Sequence, residues 1–243
     1  MNYFGGAPIP NFIGSPANLE YLNLSKAGFG GTIPHQLGNL SNLLYLHLSS
    51  NFHDYLDLNS LDVDNLGCCL EHLNLRWNHF HGNIPLAIGN LKKLQYLDLS
   101  VNSFSGDIPE IVCSLKSLRS LHLSENNISR GIPETVGNLK SLEYLVLSNN
   151  NISGEIPKTI ESPTKLWSLG LSDNNIGGQM PGTLGNLGEL RSLDLSNNVI
   201  NGQTPGTLGN LGELRSLYLS NNVINEQTPE SRKSSSLGRV IFG

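Results

Sequence analysis

Residues 94–117 read LQYLDLSVNSFSGDIPEIVCSLKS, and most of the chain repeats this pattern. The leading leucine of the stretch recurs about every 24 residues, at Leu19, Leu43, Leu70, Leu118, Leu142, Leu166, Leu190 and Leu214. Counting Leu94, nine copies therefore follow one another. A unit of this length is too short to bury a core of its own, so the copies must stack on each other. The repeat predicts one elongated solenoid.

Each copy contains the signals for one strand and one return path. In the segment LxxLxLS, leucines at unit positions 4 and 6 alternate with polar residues, which is typical of a short strand with one buried face. Asparagine at position 9 predicts a turn with an amide bonded to neighbouring backbone, and proline at position 16 suits the start of a 3₁₀ turn. The predicted fold is of the α/β solenoid type: a right-handed superhelix with a parallel β-sheet on its concave face and short 3₁₀ or helical turns on its convex face.

Departures from the period divide the chain. Residues 1–18 match only the end of a unit and are interpreted as a partial N-terminal repeat. The solenoid of nine units is predicted over residues 19–230, with an irregular insertion at about 51–69 that lengthens the second unit to 27 residues. Residues 231–243 lose the apolar pattern, which predicts a polar tail that is disordered or forms an improvised end.

Composition and patterning argue against several classes of function. The net charge is −5 and lysine and arginine do not cluster, so we predict no nucleic-acid partner. The sequence contains no run of eighteen apolar residues, so we predict no membrane segment. The start MNYFGGAPIP does not resemble a signal peptide. The seven histidines are scattered, and no grouping of carboxylates, nucleophiles or phosphate-binding glycines supports chemistry. We therefore predict no enzyme activity, no metal and no cofactor.

Unit positions 2, 3, 5, 7 and 8 should line the concave sheet, where solenoids present side chains to partners. Aromatic residues are concentrated on this face in the earlier units, and tyrosine and tryptophan offer large, rigid contact areas. Strand propensity alone is the alternative explanation for the tyrosines. The predicted ligand contacts are Tyr21, Tyr45, His47, His72, Trp77, Tyr96, Asp98, His122, Tyr144 and Trp167.

Four Asn-x-Ser sequons are candidates for N-glycosylation. They begin at Asn23, Asn39, Asn127 and Asn151. Such sites have a meaning only in a secreted chain, and an asparagine-rich repeat also produces them by chance.

The string LxxLxLSxNxFxGxIPxxLGNL resembles the plant-type leucine-rich repeat of receptor-like proteins, receptor-like kinases and polygalacturonase-inhibiting proteins. The segment Gly-x-Ile-Pro makes the match specific, and it stands at residues 82–85, 106–109 and 154–157. The resemblance extends over nearly the whole chain. The family's usual signal peptide, cysteine-bearing cap and membrane helix are not recognisable, so the sequence resembles an ectodomain fragment, a truncated relative or a repeat-only product.

The resemblance implies a non-catalytic module that binds a protein or peptide ligand in immune or developmental recognition. It also implies an extracellular or cell-surface location and a co-receptor as a further partner. Inhibition of a secreted cell-wall hydrolase is an alternative that the same repeat implies. Two others stay open at this stage: ice binding, suggested by the rows around Ser196-Asn197 and Ser220-Asn221, and a structural fragment without a function of its own.

Overall fold

In the computed structural model, which describes residues 3–51, 56, 57, 66, 69–225 and 239–241, one short strand per unit pairs with the equivalent strand of the next unit. Neighbouring strands are parallel and equivalent positions pair, such as Leu97 with Leu121. The predicted solenoid with a parallel concave sheet is therefore confirmed. Numbered along the chain, the strands of this sheet are β1 (Tyr21–Asn23), β2 (Tyr45–His47), β4 (His72–Asn74), β6 (Tyr96–Asp98), β8 (Ser120–His122), β10 (Tyr144–Val146), β12 (Ser168–Gly170), β14 (Ser192–Asp194), β16 (Ser216–Tyr218) and β18 (Arg239–Ile241).

The concave sheet continues past both irregular segments. Strand β2 pairs with β4 across the insertion, so that Tyr45 lies beside His72. Most of the predicted insertion, residues 52–55, 58–65, 67 and 68, lies outside the described residues. At the other end, β18 pairs with β16. This strand falls inside the predicted polar tail, whose other residues also lie outside the described part of the chain.

A second set of parallel strands, which the sequence pattern did not predict, forms a lateral surface beside the concave sheet. These strands begin within a few residues after the asparagine turn, and those whose burial is described bury at most one residue, such as Ile128 in the segment Asn127–Arg130. Because one buried residue gives no alternation of apolar and polar side chains, the segment reads as a loop in the sequence. The lateral strands are β3 (Leu56–Asp57), β5 (Phe80–Asn83), β7 (Ser103–Gly106), β9 (Asn127–Arg130), β11 (Asn151–Glu155), β13 (Asn175–Gly177), β15 (Asn201–Gln203) and β17 (Val223–Asn225).

Proline shapes the return path on the convex side. It directly precedes seven of the eight 3₁₀ helices in the described part of the chain, with φ between −63° and −71°. This φ is the value that the proline ring imposes, so the residue prepares the backbone for the turn. The helices are Asn11–Gly14, His35–Asn39, Leu86–Asn90, Val112–Ser114, Glu134–Asn138, Lys158–Glu161, Gly182–Asn186 and Gly206–Asn210.

The core follows the seven apolar positions of the unit. In the unit that starts at Leu94, none of the seven side chains is more than 5% exposed. They come from the concave strand, the lateral strand and the 3₁₀ turn, so every segment of the unit contributes to one continuous core. The seven residues are Leu94, Leu97, Leu99, Phe104, Ile108, Val112 and Leu115.

Asparagine at unit position 9 forms a ladder of hydrogen bonds between units. The amide nitrogen of Asn126 donates to the carbonyl oxygens of Leu99, Leu123 and Ser124 at 3.0, 3.0 and 3.2 Å. Its side-chain oxygen accepts the backbone N–H of Phe104 at 2.9 Å. The predicted structural role of this asparagine is therefore confirmed.

The residue at unit position 8, directly before the ladder position, has a left-handed backbone conformation in every unit. From Lys26 to Asn221, the nine residues at this position have φ between 55° and 58°. Asparagine and aspartate tolerate this region well, and one of them occupies the position in each of the last four units. In the earlier units the position holds bulkier residues, among them Trp77 and the β-branched Val101.

We expect Val101→Asn to raise the free energy of unfolding by about 1 kcal/mol, because a β-branched side chain is strained at positive φ and asparagine is not. Urea unfolding of both proteins measures the difference. The reciprocal change, Asn149→Val at the equivalent position, should destabilise by a similar amount. Equal stability of all three proteins would contradict this account.

Candidate ligand-binding site

Six rings form a continuous row on the N-terminal part of the concave face, here called the ring ladder. It consists of Tyr21, Tyr45, His47, His72, Tyr96 and His122, on β1, β2, β4, β6 and β8. The closest pair is Tyr45 and His72, which stack with centroids 4.4 Å apart, and His72 stacks with Tyr96 at 5.8 Å. Tilted contacts extend the row from Tyr21 to Tyr45 at 5.8 Å, from Tyr21 to His47 at 5.7 Å and from Tyr96 to His122 at 5.5 Å. Six of the ten predicted contact residues are thus brought together.

Asp98 differs from the other predicted contact residues because it is only 4% exposed. Its carboxylate accepts the hydroxyl of Tyr96 at 3.1 Å, and the backbone N–H and hydroxyl of Ser100 at 3.0 and 2.5 Å. Arg76 in turn donates to the hydroxyl oxygen of Ser100 at 2.7 Å. The prediction that Asp98 itself contacts a ligand disagrees with this burial. The carboxylate instead holds the Tyr96 ring in place.

Burial favours the neutral form of four rings of the ladder. It lowers the pKa of His47 and of His72 below the ordinary value of 6.5, in the case of His72 against the opposing effect of Glu71. Burial also lowers the pKa of His122, although the nearby Asp98 acts in the opposite direction. For the Tyr96 hydroxyl, burial together with Asp98 raises the pKa. Burial therefore favours the uncharged form of the three imidazoles and of the Tyr96 phenol.

Tyr144 and Trp167 lie apart from the ladder, in a smaller cluster on β10 and just before β12. Their rings meet edge to face with centroids 5.9 Å apart. The guanidinium carbon of Arg191 lies 4.9 Å from the centroid of the Trp167 ring, within range of a cation–π contact. Beside this group, Arg119 pairs with Glu143 at 3.3 Å. The sequence predicted both aromatic residues but not Arg191.

Trp77 belongs to neither group. It lies at the edge of the concave sheet, 62% exposed, and lines an open cavity of about 650 Å³. The other residues around the cavity are Tyr3, Lys26, Gly28, Ser49, Ser50 and Arg76. Sequence reasoning missed this grouping because it depends on Tyr3, which lies in the partial repeat. The one feature of the sequence that could have indicated the cavity is that Lys26, Ser50 and Trp77 all occupy unit position 8 in successive units.

The asparagine row at unit position 8, which suggested ice binding, is internally hydrogen-bonded. The amide of Asn197 donates to the carboxylate of Asp173 at 2.7 Å, and the amide of Asn221 donates to the side-chain oxygen of Asn197 at 2.5 Å. Neighbouring side chains therefore use part of this row's hydrogen-bonding capacity on each other.

The four sequon asparagines are all exposed, on three different surfaces. Asn127 and Asn151 begin the lateral strands β9 and β11, and Asn39 ends a 3₁₀ helix on the convex side. Asn23 lies on the concave strand β1, where its side-chain oxygen accepts the backbone N–H of Ser25 at 2.9 Å. Only Asn23 lies beside the ring ladder.

No group of three or more His, Cys, Asp or Glu in the described part of the chain is placed to hold a metal ion. None of the helices that the structure describes is long and apolar enough to cross a membrane.

The architecture is that of a repeat solenoid with leucine-rich units and a parallel-sheet face. A family profile described as "Leucine-rich repeat region" matches residues 51–146 and 109–240, and one described as "Leucine Rich Repeat" matches residues 18–40. The chain therefore belongs to the leucine-rich-repeat family. A comparison with curated protein sequences gives no match.

Solved structures of plant receptors share this fold, which confirms the resemblance to plant-type receptor ectodomains. A TDR receptor is 34% identical with a TM-score of 0.90, over 97% of this chain and 41% of its own. The plant peptide hormone receptor RGFR1, solved in complex with RGF2, is 33% identical with a TM-score of 0.84. The match covers 90% of this chain and 35% of the receptor chain. The Arabidopsis receptor kinase HAESA, solved with the peptide hormone IDA and the co-receptor SERK1, is 34% identical with a TM-score of 0.83. The match covers 94% of this chain and 39% of the HAESA chain. The chain thus spans 35% to 41% of the length of these proteins.

Proposed function

We propose that this chain is a non-catalytic recognition module of a plant receptor-like protein, and that it binds an extended peptide or protein segment along the ring ladder. The observation that carries the proposal is the unbroken contact of six rings across five neighbouring strands, with centroid distances of 4.4 to 5.8 Å. Two of the structurally similar receptors were solved with peptide hormones, which supports the same class of ligand.

Strand propensity does not account for the ladder. The later strands β12, β14 and β16 pair as regularly as the earlier ones, yet they carry Ser168, Ser192 and Ser216 where β2 and β6 carry tyrosine. Serine therefore satisfies the fold at this position. The rings add contact area that the sheet does not require, and fixed aromatic side chains of this kind dominate the binding energy of many interfaces.

The geometry favours a ligand that lies across the strands. Neighbouring strands are about 4.8 Å apart, so a chain running along the solenoid axis meets a new ring at every strand. The hydrogen bond from the Tyr96 hydroxyl to the Asp98 carboxylate restricts the rotamers of the Tyr96 ring before a ligand binds, which lowers the entropic cost of binding. The uncharged ladder suits an apolar or aromatic ligand segment, and Arg191 beside Trp167 offers a cation to a carboxylate further along.

The proposal includes an extracellular or cell-surface location and a co-receptor, as in the HAESA complex. Glycans on Asn127 and Asn151 would occupy the lateral surface and leave the ladder open. A glycan on Asn23 would stand beside Tyr21, whose hydroxyl the Asn23 amide contacts at 3.3 Å. We therefore expect Asn23 to be the one sequon whose occupancy interferes with binding.

A peptide selected from a random phage-displayed library should bind through the ladder. We expect Tyr45→Ala and Tyr96→Ala each to weaken the affinity of that peptide by about 30-fold, the effect of losing a central aromatic contact. Isothermal titration calorimetry with the synthetic peptide measures the change.

Tyr218→Ala is the matched control, because Tyr218 lies on the concave strand β16, away from the ladder. It should leave the affinity unchanged, and circular dichroism should show that all three variants are folded. Selection of peptides that bind the two ladder variants as tightly as the unchanged protein would disprove the proposal.

A further inference from the structure

The cavity beside Trp77 is built from residues of four successive units, starting with the partial repeat. Backbone hydrogen bonds hold its floor in register, from the Lys26 N–H to the Ser49 carbonyl at 2.9 Å and from the Ser50 N–H to the Arg76 carbonyl at 3.0 Å. Its volume of about 650 Å³ falls within the usual range for small-ligand sites. It lies at the edge of the concave sheet, next to the ring ladder but not part of it.

The fold does not explain a tryptophan at position 77. The side chain is 62% exposed, so it contributes little to the core. Its backbone has φ of 55°, a conformation that asparagine adopts more easily and does adopt at the equivalent Asn149, Asn197 and Asn221. The conformation is common to every unit, so what distinguishes Trp77 is a large aromatic side chain left exposed beside the cavity, and this points to a role in contact with a ligand.

Tyr3 forms the opposite wall, and the structure makes room for it. The Tyr3 ring packs over Gly28, where a Cβ atom would overlap the ring in its present position. The neighbouring Phe4 anchors the segment by stacking on Phe29 with centroids 4.4 Å apart, and its N–H donates to the Ala27 carbonyl at 2.8 Å. Tyr3 is nevertheless 73% exposed. Two aromatic faces are thus open to a bound molecule.

The polar lining of the cavity is rich in donors. Lys26 and Arg76 contribute two cations, Ser49 and Ser50 contribute hydroxyls, and none of the lining residues is acidic. Within the described residues, the Arg76 guanidinium makes one side-chain hydrogen bond, to Ser100, and further N–H groups remain for a ligand. Such a lining favours a ligand with a negative charge and several oxygen acceptors.

We propose that this cavity binds an acidic saccharide, a short oligomer of sugar rings that carry carboxylates. The C–H face of a sugar ring packs on an exposed indole or phenol ring, as Trp77 and Tyr3 offer. The ring hydroxyls reach Ser49 and Ser50, and the carboxylate lies between Lys26 and Arg76. An acidic peptide offers carboxylates to the same two cations, and binding of an aspartate-rich peptide tests that alternative. The site is separate from the ring ladder and does not depend on it.

Fluorescence of Trp77 tests the proposal directly. In a Trp167→Phe background, Trp77 is the only tryptophan in the chain. A hexuronic acid trisaccharide should quench its emission saturably, and added salt should weaken the effect because the charges are exposed. Lys26→Gln and Arg76→Gln should each weaken binding about tenfold, the effect of losing a charge-assisted hydrogen bond. Lys92→Gln, at an exposed lysine that does not line the cavity, is the matched control and should leave binding unchanged.

Calorimetry extends the test to Trp77 itself. Trp77→Ala should abolish heat of binding and Trp77→Phe, which keeps an aromatic face, should retain most of it. Tyr45→Ala should leave saccharide binding unchanged, so failure here is distinguishable from failure of the peptide proposal. The proposal is overturned if the trisaccharide does not quench saturably, if its uncharged methyl ester binds equally well, or if an aspartate-rich peptide binds while the trisaccharide does not.

Discussion

Asn126→Ala is expected to lower the free energy of unfolding by about 3 kcal/mol, because it leaves several buried backbone groups without a hydrogen bond. The amide of Asn126 satisfies the carbonyl oxygens of Leu99, Leu123 and Ser124, and its oxygen satisfies the N–H of Phe104. Alanine can replace none of these bonds, and water has poor access to groups between stacked units. Equilibrium unfolding in urea, followed by circular dichroism, measures the loss.

The next residue provides the control. Asn127 has the same side chain but is exposed at the start of β9, so Asn127→Ala should change the stability by less than about 0.5 kcal/mol. Comparable losses for the two variants would mean that the ladder contacts contribute no more than surface asparagine does. That result would contradict the role assigned to unit position 9.

Phe104→Ala should have an effect at least as large, with an expected loss of about 3 to 5 kcal/mol for an aromatic side chain removed from a tight core. Phe104 is 0% exposed and stacks on Phe80 of the preceding unit, with centroids 6.2 Å apart. The cavity would lie between two units. Because the stability of a solenoid depends on interfaces between neighbouring units, the melt should also broaden as the segments on either side become less coupled.

Leu86→Ala removes a large apolar side chain from the surface instead. Leu86 is 70% exposed on the convex side, so its loss should change the stability by less than about 0.5 kcal/mol. Differential scanning calorimetry of Phe104→Ala and Leu86→Ala compares the loss of a buried apolar side chain with the loss of an exposed one. A sharp, unshifted melt for Phe104→Ala would show that the core can collapse around the missing ring.

The sites followed from the sequence less completely than the fold did. The tyrosines and histidines of the ring ladder were predicted to lie on the concave face because they occupy unit positions 3 and 5. Their stacking was not, since it depends on side-chain rotamers. Asp98 shares a strand position with His122, yet its carboxylate is buried by the Tyr96 hydroxyl and Ser100. Burial at such a position depends on the particular side chains around it, including Arg76 of the preceding unit, which bonds Ser100. The shared repeat pattern does not specify these side chains.

Periodicity by itself determined the solenoid, the parallel concave sheet, the core and the asparagine ladder of this protein. Each of them repeats a local signal, so stacking equivalent positions suffices to place it. Only the tertiary structure decided the lateral strands, the seat of Tyr3 on Gly28 and the separation of Trp77 from the ladder. The lateral strands recur from unit to unit but rest on backbone pairing between units, without an alternating pattern of side chains. The other two features arise where units differ from one another or where the partial repeat meets the first full one. Their positions depend on contacts between particular side chains, and such contacts leave no period in the sequence.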